Sequence, residues 1–296
     1  MKVKAKKSLG QHFLTDESTA KRIVGSLLSP TGNLLEIGPG TGMLTKYLLA
    51  LPNVNLEVAE IDRESIAYLK ENYPQLAPSL YERDFLALDL SAVMEGNFNI
   101  IGNFPYNISS QIFFKILDYR QCVPQIVCML QREVAERLAS GPGNKAYGIL
   151  SVLLQAWYNI EYLFTVHENL FNPPPKVKSG VIRLVRNNRQ SLGCNEALFK
   201  QIVKQCFGMR RKTIRNSIKP LLASILQGGQ SAEAKGAALQ NCPLLQHPYM
   251  ERRPKELSVE DFIALTEMVV EASRLFGSQR VCRWLERCGA GRQITA

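Results

Sequence analysis

From residue 33 to residue 130 the chain repeats one pattern, in which a short apolar run, a turn and a helical stretch lead into the next apolar run. The runs lie near 33–38, 54–60, 79–84, 97–102 and 123–130, and two more follow at 159–166 and 179–186. Strands separated by helices are joined by crossovers, so they lie mostly parallel with helices on both faces. The pattern predicts an α/β fold built on a seven-stranded, mostly parallel, Rossmann-like sheet. In open sheets of this kind ligands bind outside the carboxyl ends of the strands.

The first run ends in Leu34-Leu35-Glu36-Ile37-Gly38-Pro39-Gly40-Thr41-Gly42 and leads into a helix-like stretch, Met43 to Leu51. Its glycines permit tight turning and close approach to a ligand, and the helix start behind them offers unpaired N–H groups. A lone turn of this kind is as often structural as functional. The next run, Val54 to Ala59, ends in Glu60-Ile61-Asp62. An acid about 20 positions beyond the glycines is where a ribose hydroxyl pair is gripped, so Glu60 is the ribose candidate. The spacing is Gly-x-Gly-x-Gly instead of Gly-x-Gly-x-x-Gly, which disfavours a nicotinamide dehydrogenase. Glu36, beside the loop, disfavours a pyrophosphate and suits the cationic amino group of S-adenosylmethionine. The third run closes with Glu82-Arg83-Asp84-Phe85-Leu86, where Asp84 can accept from an adenine amine, although an Asp there is more often a turn former or an N-cap.

Directly after Phe98-Asn99-Ile100-Ile101-Gly102 comes Asn103-Phe104-Pro105-Tyr106. A carboxamide and a backbone carbonyl at a strand end can face one amino group while an aromatic ring stacks on a planar base. That arrangement suits an exocyclic adenine amine. Read alone, the four residues are an ordinary turn.

Five segments together carry a resemblance: Lys7-Ser8-Leu9-Gly10-Gln11-His12-Phe13-Leu14, Glu36 to Gly42, Asn103-Phe104-Pro105-Tyr106-Asn107-Ile108-Ser109, Phe171-Asn172-Pro173-Pro174-Pro175-Lys176-Val177, and Arg210-Arg211-Lys212-Thr213-Ile214-Arg215-Asn216. In order, over about residues 5 to 272, the chain resembles the small-subunit ribosomal RNA adenine dimethyltransferases. The resemblance implies a methyltransferase sheet with a small C-terminal all-helical domain. It implies methyl transfer from S-adenosylmethionine to the N6 amines of a pair of adjacent adenosines near the 3′ end of small-subunit (16S) rRNA, late in that subunit's maturation. Cofactor contacts would fall on Gln11, His12, Leu14, Glu36, Gly38, Gly40, Glu60, Ile61, Asp84, Phe85 and Asn103. The target base would meet Asn103, Phe104, Pro105 and Tyr106, with Phe171 over its other face, and rRNA would meet Lys204, Arg210, Arg211, Lys212 and Arg215. Two positions depart from the family's commoner residues, His12 where Asn is usual and Phe104 where Leu is usual. A backbone contact at position 12 would leave the first change without effect.

The chemistry expected of such a site needs no general base. Hydrogen bonds from the amine to the Asn103 oxygen and the Phe104 carbonyl favour a pyramidal nitrogen, and stacking on Tyr106 contributes roughly 1–3 kcal/mol per base. The target must leave its stack to enter. His12, His167 and His247 have no ligand-like partner at short spacing, so no metal site is expected.

A formal charge of +10 over 296 residues fits a polyanionic partner or merely solubility. Its distribution favours the first reading, because Lys200, Lys204, Arg210, Arg211, Lys212, Arg215 and Lys219 occur with no acid between residues 200 and 219. Seven cysteines without a Cys-x-x-Cys pair read as free thiols in a reducing cytoplasm. No apolar run is long enough for a membrane span, and Lys2, Lys4, Lys6 and Lys7 precede no signal core. The expected organisation is a cofactor domain over 1–190 with a basic arm, a helical rRNA-binding domain over 191–275, and a basic extension over 276–296 of unassigned role. Helices are expected at Asn195–Gly208, Arg210–Leu226 and Ser258–Leu275, with a mobile Gln227–Asn241 loop, in a monomer. The rival readings are a large-subunit rRNA adenine methyltransferase of the macrolide-resistance type and a ribosome-assembly factor whose catalysis is secondary. Phe171–Val177 and Arg210–Asn216 speak against the former, and Asn103, Glu60 and Asp84 against the latter.

Overall fold

The computed structural model describes residues 3–226 and 243–276, which fall into two compact units. The first takes the chain to Ala139 together with Trp157–Asn187, and the second takes Ser140–Ala156 and the described residues from Asn188 onward. Ser140–Ala156 therefore belongs with the helices, although the expected boundary near 187–194 lies well beyond it. The expected Gln227–Asn241 loop and all of the 276–296 extension beyond Phe276 lie outside the described residues.

The strands are β1 (Phe13–Leu14), β2 (Gly32–Ile37), β3 (Val54–Ala59), β4 (Leu80–Tyr81), β5 (Phe98–Asn103), β6 (Gln125–Gln131), β7 (Tyr158–Val166), β8 (Phe171–Asn172) and β9 (Ser179–Arg186). Seven of them form one sheet in the order β4-β3-β2-β5-β6-β9-β7. The five from β4 to β6 pair in parallel, and β9 runs antiparallel to both β6 and β7. In β5 and β6 only the last residue escapes full burial, as expected for central strands covered on both faces. Edge strand β7 is half-exposed and carries an irregularity between Tyr162 and Phe164.

The chain runs outward from β2 to β3 and β4, then crosses back to lay β5 on the other side of β2. Ligand crevices open at such a reversal of strand order. The two strands approach closely there, since a Cβ on Gly102 would stand 2.4 Å from the Ile37 carbonyl oxygen. Only glycine fits.

The helices of the first unit are α1 (Glu17–Val24), α2 (Thr45–Leu48), α3 (Arg63–Asn72), α4 (Leu90–Val93), α5 (Ser109–Asp118) and α6 (Arg132–Ala139). Capping is by short acids at strand ends: Asp16 accepts from the Thr19 N–H and Asp62 from the Ser65 N–H. The expected Met43–Leu51 helix shortens to Thr45–Leu48, flanked by turns. The expected 79–84 strand keeps only Leu80–Tyr81, directly after a 3₁₀ segment, Pro74–Ser79, that takes in its first residue.

In the second unit α7 (Ile149–Gln155), α8 (Glu196–Gly208), α9 (Ile214–Leu226) and α10 (Val259–Phe276) pack on a core that includes Phe199, Val203, Phe207, Ile218 and Phe262. Phe207 meets Tyr147 and Phe262 with ring centroids 6.0 and 5.9 Å away. Helix α9 starts at Ile214, not at Arg210 as expected. The Ile214 N–H donates to the Arg252 carbonyl and the Ser217 N–H to Thr213, which leaves Arg210–Thr213 as a turn.

Candidate active site

A cavity at the carboxyl end of β2, β3 and β5 is lined by residues from the N-terminal arm, the glycine loop and the Asn103 motif. It brings together Gln11, His12, Leu14, Glu36, Gly38, Gly40, Glu60, Ile61, Asp84, Asn103, Phe104, Pro105 and Tyr106. Segments more than 90 residues apart in sequence meet there because the parallel strands all end on that side.

Asn103 closes β5, and its side-chain amide donates to the His12 carbonyl at 2.9 Å. A backbone carbonyl can only accept, so this contact fixes which end of the carboxamide is nitrogen. The oxygen is thereby left as the acceptor. Phe104 is 1% exposed, with its ring edge-on to Phe113 at 5.7 Å, so the backbone carbonyl is the part of Phe104 that can serve the cavity. Tyr106 is half-buried and its hydroxyl shares a 2.6 Å hydrogen bond with Ser179.

His12 occupies both sides of the question raised by its departure from Asn. Its carbonyl holds Asn103, while its ring nitrogen Nδ1 donates to the Pro173 carbonyl at 2.8 Å and its ring lies 5.5 Å from that of Tyr106. The side chain thus faces the Asn103–Tyr106 end. Around it the arm is fixed by Lys6, which pairs with Asp62 and, at 3.3 Å, with Glu64, and by β1, which pairs with β8.

Three carboxyl groups line the cavity. Glu36 is 1% exposed and accepts from the Thr45 hydroxyl at 2.7 Å. Burial pushes its carboxyl up to about 8, against the Thr45 hydrogen bond and helped by the charge of Glu60. Glu60 accepts from the Ile61 and Asp62 N–H groups on one oxygen and from the Gly40 N–H on the other, at 2.9, 2.8 and 3.1 Å. Burial raises Glu60 too, opposed by those same backbone donors. Asp84 accepts from the Leu86 N–H at 2.9 Å and so caps the 3₁₀ turn Phe85–Ala87. Ile61 is an exposed apolar side chain on the cavity wall.

Two expected residues sit elsewhere. Phe85 is buried under the turn and does not line the cavity. Phe171 is 4% exposed and packs in the core cluster with Leu14 and Val166; it could cover a base only by leaving that packing, which β8 pairing with β1 opposes. The glycine loop is also tighter than its sequence suggests. Gly40 has φ +58, and a Cβ there would stand 2.8 Å from the Phe13 ring, so the arm, and not a ligand, occupies that approach. Sequence reasoning misses Phe13, Ser179 and Thr45, since nothing in their spacing announces a partner at distances of 9 to 73 residues.

In the second unit, Lys204 lines a shallow groove on α8 with Lys200, Gln201 and Met209. Arg211 and Lys212 are exposed in the turn before α9. Arg210 donates to the Lys145 carbonyl, and Arg215 pairs with Glu251 at 2.6 Å, so these two have partners within their own unit.

Residues 2–241 match the model of the family described as ribosomal RNA adenine dimethylase. The chain is 53% identical over 265 residues to a ribosomal RNA small subunit methyltransferase A from Parabacteroides distasonis, covering 89% of this chain and 93% of that relative. Among solved structures it is similar to a dimethyladenosine transferase from Plasmodium falciparum, with a TM-score of 0.73 and 25% identity over 88% of this chain and 98% of that one. It shares its fold with the 23S rRNA methyltransferase ErmE, with a TM-score of 0.59 and 23% identity over 86% and 99% of the two chains.

Proposed function

The chain belongs to the ribosomal RNA adenine dimethylase family, and from that premise we propose that it moves methyl groups from S-adenosylmethionine to the N6 amines of adjacent adenosines near the 3′ end of small-subunit rRNA. It is a methyltransferase of rRNA. The observation that carries the proposal is the Asn103 carboxamide, held by its nitrogen on the His12 carbonyl so that its oxygen is the acceptor.

The cavity fits the cofactor chemically. No Lys or Arg is found among the described residues that line it, so a pyrophosphate would meet no cation, whereas Glu36, Glu60 and Asp84 offer acceptors for an ammonium, a ribose diol and an adenine amine. Exposed Ile61 offers an apolar face for the base. When bound, S-adenosylmethionine supplies a methyl group on a positively charged sulfur.

The chain's own residues act on the acceptor amine. The Asn103 oxygen and the Phe104 carbonyl take its two N–H bonds, which draws the lone pair out of conjugation with the ring. Tyr106, anchored through Ser179, gives the extruded base a face to stack on. The methylated ammonium is acidic enough to lose its proton to water. Alignment and hydrogen bonding therefore supply most of the rate enhancement.

The proposal places the protein in the cytoplasm, as a monomer acting on a late assembly intermediate of the small subunit. No described helix is long and apolar enough to cross a membrane. Incubation with undermethylated small subunits and labelled cofactor, followed by mapping of modified bases, tests the reading. Label on adjacent adenosines near the 3′ end of the small-subunit rRNA is expected; label confined to large-subunit rRNA, or none at all, overturns it.

A further inference from the structure

Lys115 lies two turns into α5, the helix that begins directly after the Asn103–Tyr106 motif, and it does not line the cavity. Its ammonium donates to the Phe85 carbonyl at 2.6 Å, to the Leu86 carbonyl at 3.1 Å and to the Leu88 carbonyl. An ammonium has three donors, and all three find carbonyls of one turn. These carbonyls belong to the 3₁₀ turn Phe85–Ala87 and its cap Leu88; the Phe85 carbonyl also accepts from the Leu88 N–H at 3.2 Å, and a cation is favoured at that carbonyl-rich end. The ammonium also lies over the buried Phe85 ring, 5.1 Å from its centroid.

Asp84 holds the other end of the same turn. Its carboxylate accepts from the Leu86 N–H at 2.9 Å and its carbonyl from the Ala87 N–H at 3.0 Å. One short turn is therefore clamped by an acid that faces the cavity and by a cation that does not. A second tie runs parallel to it, from the Tyr119 hydroxyl to Asp89 at 3.1 Å. Burial lowers the Lys115 ammonium, opposed by the charges of Asp84 and Asp89, so the lysine is kept in a place that disfavours its charge.

We propose that Lys115 is a positioning residue for adenine recognition, locking the turn that Asp84 caps onto the helix that follows the target-base motif. The proposal rests on the reading of Asp84 as the acceptor for the cofactor's adenine amine. It couples the two ends of the site through one side chain: the wall that reads the cofactor base cannot shift without shifting α5.

The readout is discrimination, not affinity alone. Calorimetry with S-adenosylhomocysteine and with its inosine counterpart, which carries an oxo group in place of the amine, gives a binding ratio. In Lys115→Met, which keeps an unbranched side chain of similar length without the charge, the ratio in favour of the amine should fall about tenfold, the worth of one hydrogen bond to a charged acceptor. KM for the cofactor should rise while kcat at saturation stays near wild type. Lys115→Arg, which keeps donors for the carbonyls, should hold the ratio. If Lys115→Met weakens both ligands equally and leaves the ratio intact, Lys115 is only a staple and the proposal falls. Asp84→Asn tests the premise separately, because Asn still caps Leu86 yet turns an amide donor toward the ligand, so preference should move toward the oxo analogue. A wild-type ratio in Asp84→Asn removes the reading of Asp84 and the proposal with it; a shifted ratio there beside an unshifted one in Lys115→Met overturns the role of Lys115 alone.

Discussion

Asn103 is held by the nitrogen of its carboxamide, and in the proposed reaction it works with the oxygen. Asn103→Ala should therefore abolish most methyl transfer, while affinity for S-adenosylhomocysteine, measured by calorimetry, weakens by less than about tenfold, the scale of one hydrogen bond. Turnover equal to wild type would show that the amine binds elsewhere. Glu36 has a different signature, because its carboxyl sits at about 8 when folded against an ordinary value of 4.5. Between those values the folded protein holds a proton that the unfolded chain has released, so stability falls as pH rises through this window and levels off above it. Glu36→Gln can still accept from Thr45 and has nothing to titrate. Its unfolding free energy should lose that slope, and denaturant melts at pH 5 and pH 8.5 check it. A cationic amino group placed beside Glu36 favours ionisation, so cofactor affinity in the wild type should rise toward pH 8 and stop rising beyond it.

At the scale of elements, the close meeting of β2 and β5 makes Gly102 the position where a methyl group does most harm. Gly102→Ala must push a Cβ into the Ile37 carbonyl oxygen, and since both strands are central, a loss of about 1–3 kcal/mol in unfolding free energy is expected. Denaturation midpoints measure it directly. The same strands are the most legible part of the chain. Buried parallel strands write continuous apolar runs, so β2, β3, β5 and β6 lie within about three residues of where the runs place them, and the antiparallel β7 and β9 fall equally close. The two-residue strands β1 and β8 have no period to display, and their pairing is set by an arm and a loop about 160 positions apart. Glu36, Glu60, Asp84 and Asn103 are legible for a related reason, since strand ends are marked by the turn residues that follow them. What stays hidden is proximity at long range: the Phe13 ring against Gly40, Ser179 against Tyr106, and the burial of Phe171, which the sequence places beside the site and the fold places beneath it. The start of α9 is hidden by Arg210–Asn216, whose composition suits a helix while the Arg252 carbonyl sets Ile214 as its beginning.

At the scale of the whole molecule, the positive charge has two kinds of members. Arg210 and Arg215 have partners in their own unit, and Arg211 and Lys212 are exposed. Arg211→Glu combined with Lys212→Glu should weaken binding to the small subunit and flatten the dependence of log affinity on log salt, by about 0.7–0.9 for each phosphate that is no longer neutralised. Cofactor affinity should not change, because the cavity is built from residues of the first unit. Binding measured at several salt concentrations decides the matter, and an unaltered slope would assign the rRNA to another surface. The sheet order has its own consequence for how such a molecule is made. β7 leaves the ribosome before β9, yet β9 lies between β6 and β7 and is the strand that ties β7 into the sheet. The same late segment delivers Pro173 to His12 and Ser179 to Tyr106. During synthesis the strands β2, β3 and β5 precede these contacts, and the pairing of the arm strand β1 with β8 must likewise wait for residues beyond 170. The stretch that locks the sheet's edge is thus the same one that anchors the Asn103–Tyr106 end of the cavity, so that end is the last to be completed.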